Sequence, residues 1–208
     1  MKVRRALSGL LIAAGVLLCA IAALHYLRGF EAQRAGRRVL DARGADRHRP
    51  AEDPGIVPAS PEAGLPQRYP VGQPIARLRI PSAHIDAIVF GGSDPISLEK
   101  GPGHVPSTEL PGHRSGWNNC VITAHRDSHF RNLGWLRKGH QIDLETPESQ
   151  QTYYVVSREI VDPSAVRVLA ATAKPRLTLI TCYPFNFIGP APKRLVVVAE
   201  PRPSPENH

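Results

Sequence analysis

Hydrophobic and polar positions divide the chain into three regimes. Ala6 to Leu27 is an almost unbroken apolar run, about 20 residues at about 1.5 Å each, which is the length of a membrane-spanning helix. Residues 28–49 are polar and basic, and from Pro50 to Pro74 seven prolines fall with little apolar periodicity. That second stretch reads as a short basic helix at a membrane surface and then a semi-extended tether, which leaves the orientation of the C-terminal region open. From Gln73 a strand pattern takes over, with a period of two over 75–80 and 141–145 and apolar, β-branched runs elsewhere. It predicts strands over 75–80, 85–90, 119–124, 141–145, 151–160, 176–182 and 194–200, stopped by Pro81, Gly91-Gly92 and Pro184.

Between these strands, Ser97–Lys100 reads as one helical turn and 128–135 as a loop or short helix. Residues 162–174 form a connection, partly helical over 164–173. Seven or eight short strands without βαβ alternation predict an all-β barrel or sandwich. The expected organisation is an N-terminal anchor (1–27), a basic then Pro-rich linker (28–72), a β-domain (73–200) and a tail (201–208).

Charge changes the picture less than its total suggests. Of the formal +8, residues 1–50 carry +7 and the remainder +1. The β-domain is therefore nearly neutral, and with no basic recognition helix or base-stacking motif, nucleic-acid binding is not expected. Lys2, Arg4 and Arg5 precede the apolar run and Arg28, Arg34, Arg37 and Arg38 come after it, so counting flanking cations leaves the orientation open. Ala20-Ile21-Ala22 also resembles a signal-peptide cleavage site; an uncleaved anchor is the preferred reading.

Chemistry concentrates at strand ends. The strand Arg176-Leu-Thr-Leu-Ile-Thr-Cys182 ends in a thiol before Pro184, the strand 119–124 ends at His125, and the last strand opens with Lys193-Arg194. If 176–182 and 194–200 pair as an antiparallel hairpin, one thiol, one imidazole and one guanidinium meet on a single rim. A free thiol is a few per cent thiolate at neutral pH and needs such neighbours to act as a nucleophile. An arginine does not deprotonate; it stabilises developing negative charge. Acyl transfer through a thioester is the natural reaction, with His125 as acid and base. The other cysteines read blandly. Cys120 is a small buried hydrophobe, with a Cys120–Cys182 disulfide as the alternative, and Cys19 lies in the apolar run. Trp117, Trp135, Phe185 and Phe187 read as packing or groove wall. Asp127 either orients His125 or pairs with Arg126.

Four short motifs resemble those of one family. Thr178-Leu-Ile-Thr-Cys182 resembles the TLxTC signature of the sortases, membrane-anchored cysteine transpeptidases. His125-Arg-Asp-Ser-His-Phe130, Gly103-His-Val-Pro106 and Cys182-Tyr-Pro-Phe185 running on to Ile188-Gly-Pro-Ala-Pro-Lys-Arg194 are similar to the class D type. The resemblance spans roughly residues 73–200; it departs at Ala124, where many relatives carry Gly. It implies an eight-stranded β-barrel preceded by one transmembrane helix, with Cys182 as nucleophile, His125 as acid/base and Arg194 as oxyanion or substrate support. It further implies cleavage of an LPxTG-like C-terminal sorting signal and transfer to an amine of a peptidoglycan precursor or protein subunit. Thr181, Ile180 and Val168 are the implied substrate-binding residues, Thr181 beside the oxyanion and 162–174 as a groove wall.

No cofactor or metal is expected: HExxH spacing is absent, and so is an acidic cluster of the kind calcium-dependent sortases need. The expected location is the cell membrane, N-terminus inside and β-domain outside, since the implied chemistry acts on exported proteins. The competing readings are a thiol hydrolase with water as acceptor and a catalytically silent peptide-binding β-domain.

Overall fold

A computed structural model describes residues 2–46, 69–111 and 118–202. Trp117, most of the Pro-rich stretch and the end of the tail lie outside these. Eight strands form: β1 (Pro74–Ile80), β2 (Ile85–Gly91), β3 (Gly103–His104), β4 (Asn119–Thr123), β5 (Gln141–Glu145), β6 (Gln150–Val161), β7 (Arg176–Tyr183) and β8 (Lys193–Glu200). They close a barrel in the order β1-β2-β3-β4-β7-β8-β6-β5, with β5 returning to β1. The pairs β2–β3 and β4–β7 are parallel and the others antiparallel.

Alternation decides which side chains fill the barrel. Leu177 and Leu179 of β7, Cys120 and Ile122 of β4, and Leu195, Val197 and Ala199 of β8 share the core with Leu78, Ile142, Leu144 and Tyr153. The intervening residues therefore point outward. The sequence pattern located seven of the strands to within a residue or two. It missed β3, whose two residues are too short to alternate. Helical segments between the strands are small: α2 (Pro95–Lys100), capped by the Asp94 carboxylate accepting from Ile96 N and Ser97 N at 3.1 Å, and single 3-10 turns at Pro81–Ala83, Leu133–Trp135 and Val166–Leu169.

The apolar run and the basic helix expected after it form one element. One helix, α1 (Lys2–Asp46), runs unbroken through residue 27, and its second half lies on the barrel. The cause is a gap in the sheet: β3 pairs with β2 only at Phe90 and Gly91, leaving Ile88 without a strand partner on that side. The Gln33 carboxamide substitutes for the missing strand. It accepts from Ile88 N at 2.7 Å and donates to Ile88 O at 3.0 Å and Lys100 O at 2.9 Å. One turn on, a Cβ on Gly36 would stand 2.8 Å from Ile88 Cγ2, so only glycine permits this approach. Arg37 adds bonds to Asp86 Oδ2 and Asp86 O at 3.1 and 2.7 Å. With Arg77 also on it at 2.8 Å, the Asp86 carboxyl is held down at about 2.

Candidate active site

Strand register brings the three expected residues together. Cys182 of β7 and Arg194 of β8 are direct partners in the antiparallel ladder. On the other side of β7, Thr123 of β4 is in register with Ile180, and Ala124 N continues the ladder to Ile180 O at 3.2 Å. The next position on that chain is His125, level with Cys182 when the Thr123–Ile180 register is carried on by two residues. Cys120, Ile122 and Leu179 point inward, so by alternation His125, Cys182 and Arg194 all leave the outer face of the barrel, on three adjacent chains at one rim. Cys182 and Arg194 are half-buried and His125 is exposed.

The supporting bonds explain how each is held. The Thr181 hydroxyl is buried and donates to Ala124 O at 2.7 Å, locking the end of β4 against β7 one residue before His125. Its hydroxyl hydrogen is thus committed to the frame of the site. Phe130 N donates to His125 O at 3.1 Å and closes the adjoining loop. Arg194 donates from Nη1 to Ala191 O at 3.1 Å and Lys193 O at 2.9 Å, which fixes its stem. Nε and Nη2 have no acceptor among the described residues.

Arg126 emerges as a structural residue that the sequence did not flag. Its guanidinium donates to Pro184 O at 2.9 Å, Phe187 O at 2.6 Å and Gly189 O at 3.0 Å. It therefore clips the β7–β8 loop to the residue next to His125. Among the described residues no bond joins Asp127 to Arg126 or to His125, so neither role considered for Asp127 is supported by contacts. His129, half-buried in the same loop, has its imidazole pushed below the usual range by burial and by the neighbouring His125.

Ile180 projects from the outer face in register with Thr123 and Val196. The 162–174 connection covers that face. Asn119, buried and in register with Arg176, donates to Val168 O at 3.1 Å and Ala170 O at 2.9 Å, and accepts from the Thr178 hydroxyl at 2.9 Å. Val168 is half-buried. Thus Ile180 lies on the floor of the outer face and Val168 on the segment pinned above it, while Thr181 points inward. Cys120 and Cys182 are free and on opposite faces, and burial pushes the Cys120 thiol far up, consistent with an inert core residue. A cleft of about 510 Å³ opens on the other side of His125, between that loop and α1.

The sortase-domain model matches residues 78–202, the stretch that carries the barrel and this rim. The chain belongs to the sortase family. It is 35% identical over 127 residues to sortase D of Bacillus subtilis, covering 61% of this chain and 63% of that one. To sortase A of Listeria monocytogenes it is 28% identical over 130 residues, covering 61% and 55%. The sortase thus spans less than two thirds of the length of these relatives. Among solved structures it is similar to a Clostridium perfringens sortase D5 transpeptidase, with 26% identity, a TM-score of 0.57 and coverage of 64% of this chain and 81% of that one. The expected eight-stranded barrel is therefore the observed one.

Proposed function

We propose that this sortase is a cysteine transpeptidase that cleaves an LPxTG-like C-terminal sorting signal and passes the acyl group to an amine. The observation that supports the reading is the direct ladder pairing of Cys182 with Arg194 on the outer face, beside the end of β4 that leads into His125. The Cys182 sulfur attacks the scissile carbonyl carbon, the C–N bond breaks, and His125 supplies the proton that the departing amine takes. An acceptor amine then attacks the thioester, His125 takes its proton, and the C–S bond breaks. Arg194, anchored through Nη1, presents its remaining donors to the oxygen on which negative charge develops in both steps. Ile180 and Val168 contribute to the binding groove and Thr181 to its frame. The acceptor is an amine on a peptidoglycan precursor or a protein subunit.

Residues 9–44 contain the one helix among those described that is long and apolar enough to cross a membrane. Its leucines and isoleucines from Leu7 to Leu27 face outward without protein cover, as side chains in lipid do. This supports a single-pass anchor; the orientation proposed with it, N-terminus inside and barrel on the extracytoplasmic face, follows from a substrate that is an exported protein.

Incubation of the wild-type chain with an LPxTG-like peptide and an added amine tests the reading. Mass spectrometry should detect a peptide thioester on Cys182 and a peptide–amine product, and Cys182→Ala should give neither. Turnover by that variant would end the proposal. Hydrolysed peptide alone, unchanged by added amine, would assign the same residues to a hydrolase.

A further inference from the structure

We infer that the catalytic rim faces the bilayer and that Trp135 rests in the lipid headgroup layer beside the point where α1 leaves the membrane. This rests on α1 being a membrane anchor, as proposed above.

The argument starts from where α1 touches the barrel along its length. Tyr26 and Phe30, at the end of the apolar run, line the cleft with His84, Ile85 and the His125–Asn132 loop. Gln33 bonds Ile88, three positions further along β2, and Arg43 Nη1 donates to Pro74 O at 3.5 Å. Pro74 pairs with Phe90 at the far end of the β1–β2 ladder, whereas Ile80 and Ile85 pair at the near end. Apart from the long Arg37 side chain, which reaches back to Asp86, contacts therefore move away from the rim as α1 moves away from the bilayer. Gln33 stands six residues beyond Leu27, about 9 Å along a helix. An orientation that put the catalytic rim outermost would need these contacts in the reverse order.

The surface of that rim suits a headgroup layer. Trp135 is 55% exposed, and its ring meets that of His84 edge-on at 6.2 Å, so it adjoins the cleft against α1. Tryptophan, apolar with one N–H, is enriched at membrane interfaces. Exposed Arg131, Arg137 and Lys138 flank it and complement anionic lipid. Other uncovered apolar side chains gather on the same rim: Ile160, Phe187 and Ile188, the last 97% exposed.

The chain holds two tryptophans, so Trp117→Phe leaves Trp135 as the sole reporter. The full-length variant is reconstituted into vesicles of phosphatidylcholine and phosphatidylglycerol, and flotation establishes that it is membrane-bound. Lipid brominated next to the headgroup should quench Trp135 more than lipid brominated near the chain ends, and quenching by aqueous acrylamide should fall relative to detergent solution. Should Trp117→Phe fail to fold, the wild-type chain compared with Trp135→Phe gives the same signal by difference. A chain that floats while Trp135 stays open to acrylamide and untouched by bromine overturns the inference and leaves the anchor intact; failure to float overturns both. In a Gln33→Ala, Arg37→Glu double variant, which undocks α1, Trp135 should regain acrylamide access. Unchanged lipid quenching there would overturn the role of the docked helix.

Discussion

Cys182 and Arg194 face one another across the β7–β8 ladder as direct Cα partners, so the spacing of thiol and guanidinium is set by backbone pairing. Two backbone carbonyls hold the Arg194 stem. Arg194→Ala should accordingly lower kcat by about 10²-fold or more, the scale seen when one donor to a developing oxyanion is removed. Steady-state kinetics on an LPxTG-like peptide separate this from substrate binding, since a change confined to KM would make Arg194 a ground-state contact.

Asn119 is expected to act on affinity. Its buried carboxamide joins β4 to Val168 O, Ala170 O and the Thr178 hydroxyl. Asn119→Ala releases the 162–174 connection and should raise peptide KM by about tenfold with a smaller effect on kcat, at a stability cost of about 1–3 kcal/mol for the bonds left unpaired. Thermal melting and kinetics on one preparation measure both.

His104 makes the barrel sensitive to acid. It is 1% exposed, Nε2 lies 3.1 Å from the Thr108 hydroxyl, and burial pushes the imidazole down to about 4. The unfolded chain takes up this proton below about pH 6.5, whereas the folded barrel refuses it until about pH 4. Stability from the neutral ring is therefore complete above pH 6.5 and is lost as pH falls towards 4, by about 3 kcal/mol at most. Melting temperatures at pH 7.5 and 5 should differ, and His104→Gln should narrow that difference.

Glu109 is a site where the native residue costs stability. It is 3% exposed, and both side-chain oxygens lack a hydrogen-bond partner among the described residues. Glu109→Leu should stabilise the barrel by about 1–3 kcal/mol, the penalty of a buried unsatisfied polar group. A urea midpoint that stays constant or falls would show that the carboxyl is satisfied.

The strands were legible because one face of each packs the core: a period of two survives in Ile75–Ile80 and Gln141–Glu145, while Arg194–Glu200 carries a continuous apolar, β-branched run. Strand ends marked where chemistry could emerge, and the resemblance to sortase motifs was what singled out Cys182, His125 and Arg194 from the other thiols, imidazoles and cations. Other features left no mark on that pattern. Gly103–His104 is too short to alternate. Gln33, Gly36 and Arg37 look like ordinary residues of a polar helix, since their role depends on a gap between β2 and β3 that only closure of the barrel creates. Arg126 sits next to Asp127 in sequence yet serves carbonyls some 60 positions away. Thr181, one residue from Cys182, turns inward because neighbours on a strand face opposite ways.

The Gln33 slot also restricts how this chain can vary. A helix turns about 100° per residue, so one residue inserted between Leu27 and Gln33 would swing the carboxamide to the wrong side of its axis. Two whole turns, close to seven residues, would restore the phase while lifting the barrel about 10 Å. With α1 as the proposed anchor, the stand-off from the membrane would change only in discrete steps, like a key that fits its lock at fixed rotations.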